Sequence, residues 1–301
     1  MWTIEKPNIS ALDAFDTCIA GITTPGLKQR LQHIRGAIEA GETNFDDAAE
    51  TSSLYLIASA DNIGAVTAKE MEKLYDRHMA RSMGRGRAIY DRLMIAAKND
   101  MCPFCGHRTV STLDHSLPKA DHPAFAVTPI NLIPCCKDCN HAKGSRSPAT
   151  EEDQFLNAYY DDVTAGRWLY AKIIEGSPPA ATFLVDTPDD WEDEIATRVE
   201  NHFEKLHLAK LYASQAGRQF QNMRRALGEI HDAAGVDAVR EDLERRFRSC
   251  SEVTVNSWEA ALYQAAALFG PTNIRVFLLS KSPRAGSDRR LRLMLQGTAL
   301  E

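Results

Sequence analysis

Apolar positions recur at helical spacing along most of the first hundred residues of this 301-residue chain. Ser10 stands where an N-cap opens a helix through Ile19, and Pro25 suits the first turn of a helix to about Ala40. Asp46–Ser59 and Thr67–Met79 continue the pattern, and Thr67-Ala-Lys-Glu70 fits a capping box. Gly84-Arg-Gly86 breaks it, and a further helix is predicted from Arg87 to about Lys98. The pattern then changes. Residues 101–147 are rich in Pro, Cys, His, Asn and Gly and poor in helical periodicity. Short strands are predicted at Thr109–His115 and Asn131–Pro134, with a short helix near Cys139. Helical patterning returns at Glu151–Tyr160 and at Asp190–His207, the latter continuing or kinking to about Leu227. It recurs at Asp237–Cys250 and Asn256–Phe269. Thr182–Asp186 and Asn273–Ser280 read as strands, and Pro178-Pro179 as a turn. The fold class expected is α+β, mostly helical. Three regions follow: a helical 1–99, a central 100–150 and a mainly helical 151–301. No internal repeat or low-complexity segment stands out.

Composition is that of an ordinary globular protein, with 44% hydrophobic and 25% charged residues. No apolar run reaches about 18 residues, so no transmembrane helix is expected. The N-terminus lacks a basic stretch followed by an apolar one, so a cytoplasmic location is expected. Five of the seven cysteines fall between Cys102 and Cys139, a clustering that favours metal over disulfides there. Cys18 and Cys250 stand alone and read as small buried hydrophobes.

Net charge is −6, which by itself does not suggest a nucleic-acid binder. Its distribution says more. Residues 81–150 hold ten Lys/Arg against five acids, so they carry +5 and the rest carries −11. A local basic patch on an acidic chain suits phosphate contact at one place. The basic run from Lys281 to Arg292 reads as a solvated face, and the acids of Asp186–Glu194 would repel nucleic acid.

Cys102-Pro-Phe-Cys105 and Cys136-Lys-Asp-Cys139 are two C-x-x-C pairs with thirty residues between them. Two such knuckles supply the four tetrahedral thiolates that zinc prefers, and four thiolates leave no open coordination position. The zinc expected at Cys102, Cys105, Cys136 and Cys139 is therefore structural. Cys135 adjoins the second pair at a less usual spacing and reads as a strand residue.

Between and after the knuckles stand Leu113-Asp114-His115, Leu117-Pro118-Lys119, Asn131-Leu132-Ile133-Pro134 and Asn140-His141-Ala142-Lys143-Gly144. In this order, over about 45 residues, the chain resembles the zinc-containing branch of the HNH endonucleases, within the ββα-metal (His-Me finger) group. The resemblance implies a central ββα-metal module and roles by position. His115 matches the general base that takes a proton from the attacking water. Asp114 matches the adjacent metal ligand, Asn131 the residue that orients the base, and Asn140 the ligand of the catalytic metal. Lys119 and Lys143 match phosphate-contacting or site-shaping residues.

Elementary chemistry agrees. Phosphodiester hydrolysis needs a base near neutral pH and a cation against developing charge. Asp and Asn oxygens suit Mg²⁺ or Mn²⁺. Adjacent strand residues point to opposite faces, so a twist or bulge is expected to bring both Asp114 and His115 to bear. His141 competes with Asn140 as ligand, but the family pattern favours Asn140. His107 reads as facing solvent and His122 as a loop residue. His202 and His207, five apart, do not fit the i, i+4 spacing of a helical metal pair.

The function expected is a metal-dependent endonuclease acting on DNA, with RNA left open. The alternative is a zinc-stabilised nucleic-acid-binding or adaptor subunit that does not cut. A looser resemblance, in the L-P-K form and the helical C-terminal half, is to HNH subunits of bacterial anti-phage systems of the Septu type, which work beside an ATPase. No P-loop occurs in the sequence, so such an ATPase would be another chain. Homo- or hetero-oligomerisation stays open, and no membrane contact is expected.

Overall fold

The computed structural model describes residues 2–176 and 179–269. The predicted strand Asn273–Ser280 and the basic run Lys281–Arg292 lie outside them, as does Pro178 of the predicted turn.

Ser10 caps α1 (Ala11–Ile19), its Oγ accepting the Asp13 N–H at 3.0 Å. The single helix expected after Pro25 is two, α2 (Pro25–His33) and α3 (Arg35–Glu50), joined at Ile34. α3 also absorbs the start of the helix expected at Asp46–Ser59. It ends because hydroxyls take the carbonyls of its last turn. Thr51 Oγ1 donates to Asp47 O at 3.0 Å and Ser53 Oγ to Ala48 O at 3.2 Å. A short 3₁₀ turn at Leu54–Leu56 follows.

A two-residue hairpin, β1 (Asn62–Ile63) with β2 (Val66–Thr67), leads into α4 (Ala68–Leu74). The predicted capping box is present, with Thr67 and Glu70 exchanging side-chain-to-backbone bonds. A π-helical turn, Tyr75–Ala80, continues the run and α5 (Arg87–Met94) ends it. The break between them needs glycine, because a Cβ at Gly86 would lie 2.7 Å from Cys18 Sγ.

The central segment forms β3 (Thr112–His115), β4 (Leu132–Cys135) and α6 (Lys137–Lys143) in a strand–strand–helix order. The strands are antiparallel, pairing Thr112 with Cys135 and His115 with Leu132. Leu113, Ala126, Val127 and Leu132 share one apolar core with Phe15, Ile38, Met71, Leu74, Met79 and Leu93 of the N-terminal helices. The boundary expected near residue 99 therefore does not divide two compact bodies. Burying the apolar faces of the helices against the ββα segment is what fixes that segment's place.

Glu151–Tyr160 is irregular where a helix was expected. Its polar side chains bond elsewhere. Gln154 donates to Ser52 O at 2.5 Å, and Asn157 Nδ2 to Ser116 Oγ at 3.1 Å. Tertiary bonding overrides a helical pattern of weak propensity here. β5 (Leu169–Ile174) was not anticipated and pairs with β6 (Ala180–Val185), where Thr182–Asp186 had been read as strand. α7 (Asp193–Lys205) follows, then α8 (Leu208–Val253) and α9 (Trp258–Leu268). α8 joins two predicted helices and breaks at Gly235, which takes φ +81°.

Two compact units result. The first combines the described residues up to 169 with Leu184–Leu211 and Val253–Ser257. The second combines the described residues of Tyr170–Phe183, Tyr212–Glu252 and those from Trp258 to Phe269. Phe183 meets Tyr212 edge-on at 5.5 Å in the second unit, and Gln219 donates to Tyr263 Oη at 2.6 Å. Among the described residues no helix is long and apolar enough to cross a membrane.

Candidate metal centres and catalytic site

The first knuckle is a tight turn. Cys102 N–H donates to Arg108 O and Gly106 N–H to Cys102 O, both at 2.8 Å, and a Met101–Thr109 bridge closes the hairpin. The second knuckle starts α6, with Cys136 as N-cap accepting the Cys139 N–H on Sγ at 3.4 Å. These two turns bring the sulfurs of Cys102, Cys105, Cys136 and Cys139 within 4.8 Å of one another, all buried. Four thiolates at about 2.3 Å from a zinc ion would stand roughly 3.8 Å apart. The cluster therefore fits a metal such as zinc.

Within the cluster the thiolate is favoured at Cys105, while hydrogen bonding from the neighbouring sulfurs pushes the Cys102 and Cys139 thiols up. Arg108 N–H donates to Cys105 Sγ at 3.4 Å, and hydrogen bonding from Cys102 leads the effects that pull the Cys105 thiol down. Cys135 pairs with Thr112 in the strand ladder, and burial pushes its thiol up. It behaves as the strand residue expected. Cys18 is buried as anticipated, whereas Cys250 is only half-buried.

His115 ends β3. Its half-buried ring sits edge-on to Tyr75 at 4.5 Å, and Nε2 lies 2.9 Å from Ala126 O. A carbonyl only accepts, so Nε2 carries the proton and Nδ1 keeps its lone pair. Burial pushes the imidazole down to about 3, with the Ala126 carbonyl acting in the opposite sense. The ring is therefore neutral at neutral pH.

Asn131 is fully buried behind it. Its Oδ1 accepts the Leu117 N–H at 2.8 Å, and its Nδ2 donates to Leu117 O at 3.0 Å and Phe125 O at 3.1 Å. Its own carbonyl accepts the Ser116 N–H at 2.9 Å. One amide side chain thus ties the residues after His115 to those before Ala126, the partner of the His115 ring. That geometry agrees with an orienting role for Asn131.

β3 carries no bulge at Asp114 and His115, which face Ile133 and Leu132 one for one. The irregularity expected there is absent, and the two side chains leave the strand on opposite faces. α6 lies on the Asp114 side. Lys143 Nζ stands 3.1 Å from Asp114 Oδ2 and donates to His115 O at 2.7 Å. Asn140, one turn earlier on α6, donates from Nδ2 to Leu113 O at 3.4 Å. Asp114 is buried, and its Oδ2 has no hydrogen bond of good alignment despite the ion pair. Burial pushes this carboxyl up, and Lys143 counteracts it.

The lysines were expected to contact phosphate or to shape the site. Lys143 is only 8% exposed and engaged with Asp114 and the His115 backbone. Lys119 pairs with Asp76 and lies over the Tyr75 ring at 4.5 Å. Its charge also disfavours protonation of the His115 ring.

Over 219 residues, 68% of this chain and 74% of the relative, the sequence is 30% identical to protein Ea31 of Escherichia phage lambda. The chain belongs to the Ea31 family. No family model matches it, and no solved structure does.

Among the described residues, no histidine of this Ea31-family chain joins the four-cysteine cluster. His202 is buried between Phe104 and Phe155 with Nε2 3.0 Å from Phe104 O, a packing role. His122 is a loop residue as read, and it is buried, with Nε2 3.0 Å from Ser147 Oγ. His107 is half-buried, and His141 and His207 are exposed.

Sequence reasoning missed groups that tie distant segments of the first unit together. Tyr159 Oη donates to Leu132 O at 2.8 Å, within β4. Arg198 of α7 is buried, pairs with Asp161 and donates to Ser52 Oγ at 2.8 Å. No local spacing announces either contact, because the partners are distant in sequence.

Proposed function

We propose that this chain is an HNH-type nuclease, a ββα-metal enzyme that hydrolyses phosphodiester bonds of DNA. The observation that carries the reading is His115. It is a neutral imidazole whose Nε2 is fixed by a carbonyl, next to a buried carboxylate, on a strand–strand–helix unit stapled by four cysteines. In the proposed reaction His115 Nδ1 accepts a proton from water as the water oxygen attacks phosphorus. The P–O bond to the leaving oxygen breaks, and that oxygen is protonated from solvent. Asn131 holds the His115 ring through the Leu117–Phe125 loop, and Lys143 fixes the His115 backbone. Asp114 Oδ2 and the Asn140 amide oxygen are the hard donors that would hold a divalent ion. Bound there, Mg²⁺ or Mn²⁺ would supply positive charge against that developing on the phosphate. The zinc of the cysteine cluster is structural in this reading. We further propose that the nuclease works with an ATPase supplied by another chain, in bacterial defence. The looser resemblance of the sequence is the support for that step.

One observation favours a second reading. Lys143 already places an ammonium 3.1 Å from Asp114 Oδ2. A zinc-stabilised subunit that binds nucleic acid or a protein without cutting would retain such a pair.

The full-length protein, incubated with supercoiled plasmid, tests the choice. Nicking that requires added Mg²⁺ or Mn²⁺ is expected. No cleavage with any divalent ion, alone or with an ATPase partner, would leave the second reading standing.

A further inference from the structure

The first unit holds a cleft of about 750 Å³ beside the ββα segment. One wall is the end of α6 and the loop after it, from His141 to Ala149. The other includes Phe155 and, from the end of α7, Lys205 and His207. The cleft's charged lining is cationic. Lys143, Arg146 and Lys205 face a single acid, Asp153, which Lys205 meets at 3.0 Å. Arg146 is exposed and forms no ion pair among the described residues. Phe155 fixes two of the cations, with the ammonium groups of Lys143 and Lys205 lying 5.9 and 5.8 Å from its ring centre. The Arg146 loop is also anchored. The neighbouring Ser147 donates to Asp121 Oδ2 at 2.9 Å and lies 3.0 Å from His122 Nε2. This is a prebuilt polar site and not a loose surface.

We infer that this cleft takes a single nucleic-acid strand, with Arg146 and Lys205 contacting its phosphates. Three features argue for it. A cation-lined groove with one aromatic wall suits the alternating phosphate and ring of a single strand. A volume of about 750 Å³ is that of a site for a small ligand, so it accommodates a nucleotide or two and not a duplex. The cleft also borders the proposed chemistry, although Asp114, His115 and Asn140 do not themselves line it. Lys143 lines it while contacting Asp114 and the His115 carbonyl, and Ser116, which follows His115, lines it too. A strand seated there would reach the nuclease site at Lys143. The inference rests on the nuclease reading for that last point alone.

Binding separates it from catalysis. A short fluorescent single-stranded DNA is titrated with the full-length His115→Ala protein, without added Mg²⁺, and anisotropy is followed across a salt series. Duplex DNA of the same sequence is a parallel arm. Arg146→Glu is expected to weaken single-strand binding by about tenfold with an unchanged melting temperature. Lys205→Gln is expected to lower the slope of log affinity against log salt by about 0.7, the contribution of one phosphate contact. Unchanged affinity and slope in both variants would overturn the inference. So would a parent protein that prefers the duplex, or one that binds neither. Absent plasmid cleavage together with Arg146-dependent binding counts against the nuclease reading and leaves the cleft assignment supported.

Discussion

His115→Ala is expected to lower the rate of plasmid nicking by about a hundred- to ten-thousand-fold, the usual contribution of a general base. The fold should survive. His115 is half-buried at a strand end, and its side chain makes one hydrogen bond, to Ala126 O. Its backbone remains held by Lys143 and by pairing with Leu132. The variant should therefore melt near the parent temperature and bind its zinc. His115→Gln is the sharper control, because an amide could still meet the Ala126 carbonyl but cannot act as a base at neutral pH. Single-turnover rates of the two variants should fall together. A Gln variant with parental activity would mean that the ring only positions the loop.

Loss of the zinc is expected to unfold the central segment. The four cysteines come from two turns thirty residues apart, and the Arg108–Asp138 ion pair at 2.8 Å, partly exposed, is a weaker link between the same two turns. Zinc binding contributes about 10–16 kcal/mol in small zinc modules, more than the whole stability of many domains. Here the N-terminal helices share a core with β3 and β4, so part of that support is independent of metal. Cys136→Ser should reduce zinc from about one per chain to near zero and loosen the segment around the cluster, while the serine hydroxyl keeps the cap of α6. Metal analysis with proteolysis reads both effects, and new cleavage between residues 101 and 147 is the expected pattern. Cys135→Ser should retain its zinc, because Cys135 belongs to the β4 ladder and not to the cluster. Equal zinc loss in the two variants would contradict the assignment.

The knuckles were legible because C-x-x-C spacing alone fixes where two sulfurs can meet. The capping box at Thr67 and Glu70 was legible for the same reason, since both partners lie within one turn. Long-range packing was not. The division of the Pro25 helix at Ile34 and the irregular path of Glu151–Tyr160 both depend on distant residues. So do the sites of the two lysines. Lys143 lies next to a family-like Asn140, yet its partners, Asp114 and His115, are 29 and 28 residues away. The sequence left it either on a phosphate or shaping the site, and the fold sets it against the carboxylate. Asn131 is buried with its bonds running to both ends of the loop that follows His115, an arrangement no local spacing announces.

The central claim is that Asp114, on the face opposite His115, helps hold the divalent ion of a nuclease site despite its contact with Lys143. The nicking rate of zinc-loaded protein as Mg²⁺ is raised, measured for the parent and for Asp114→Asn, tests that claim most directly. The expected result is a saturable rise in the parent. In the variant the rise should be displaced to much higher Mg²⁺ or lost, with zinc content unchanged. Superimposable curves, or cleavage that proceeds equally well without Mg²⁺, would contradict it.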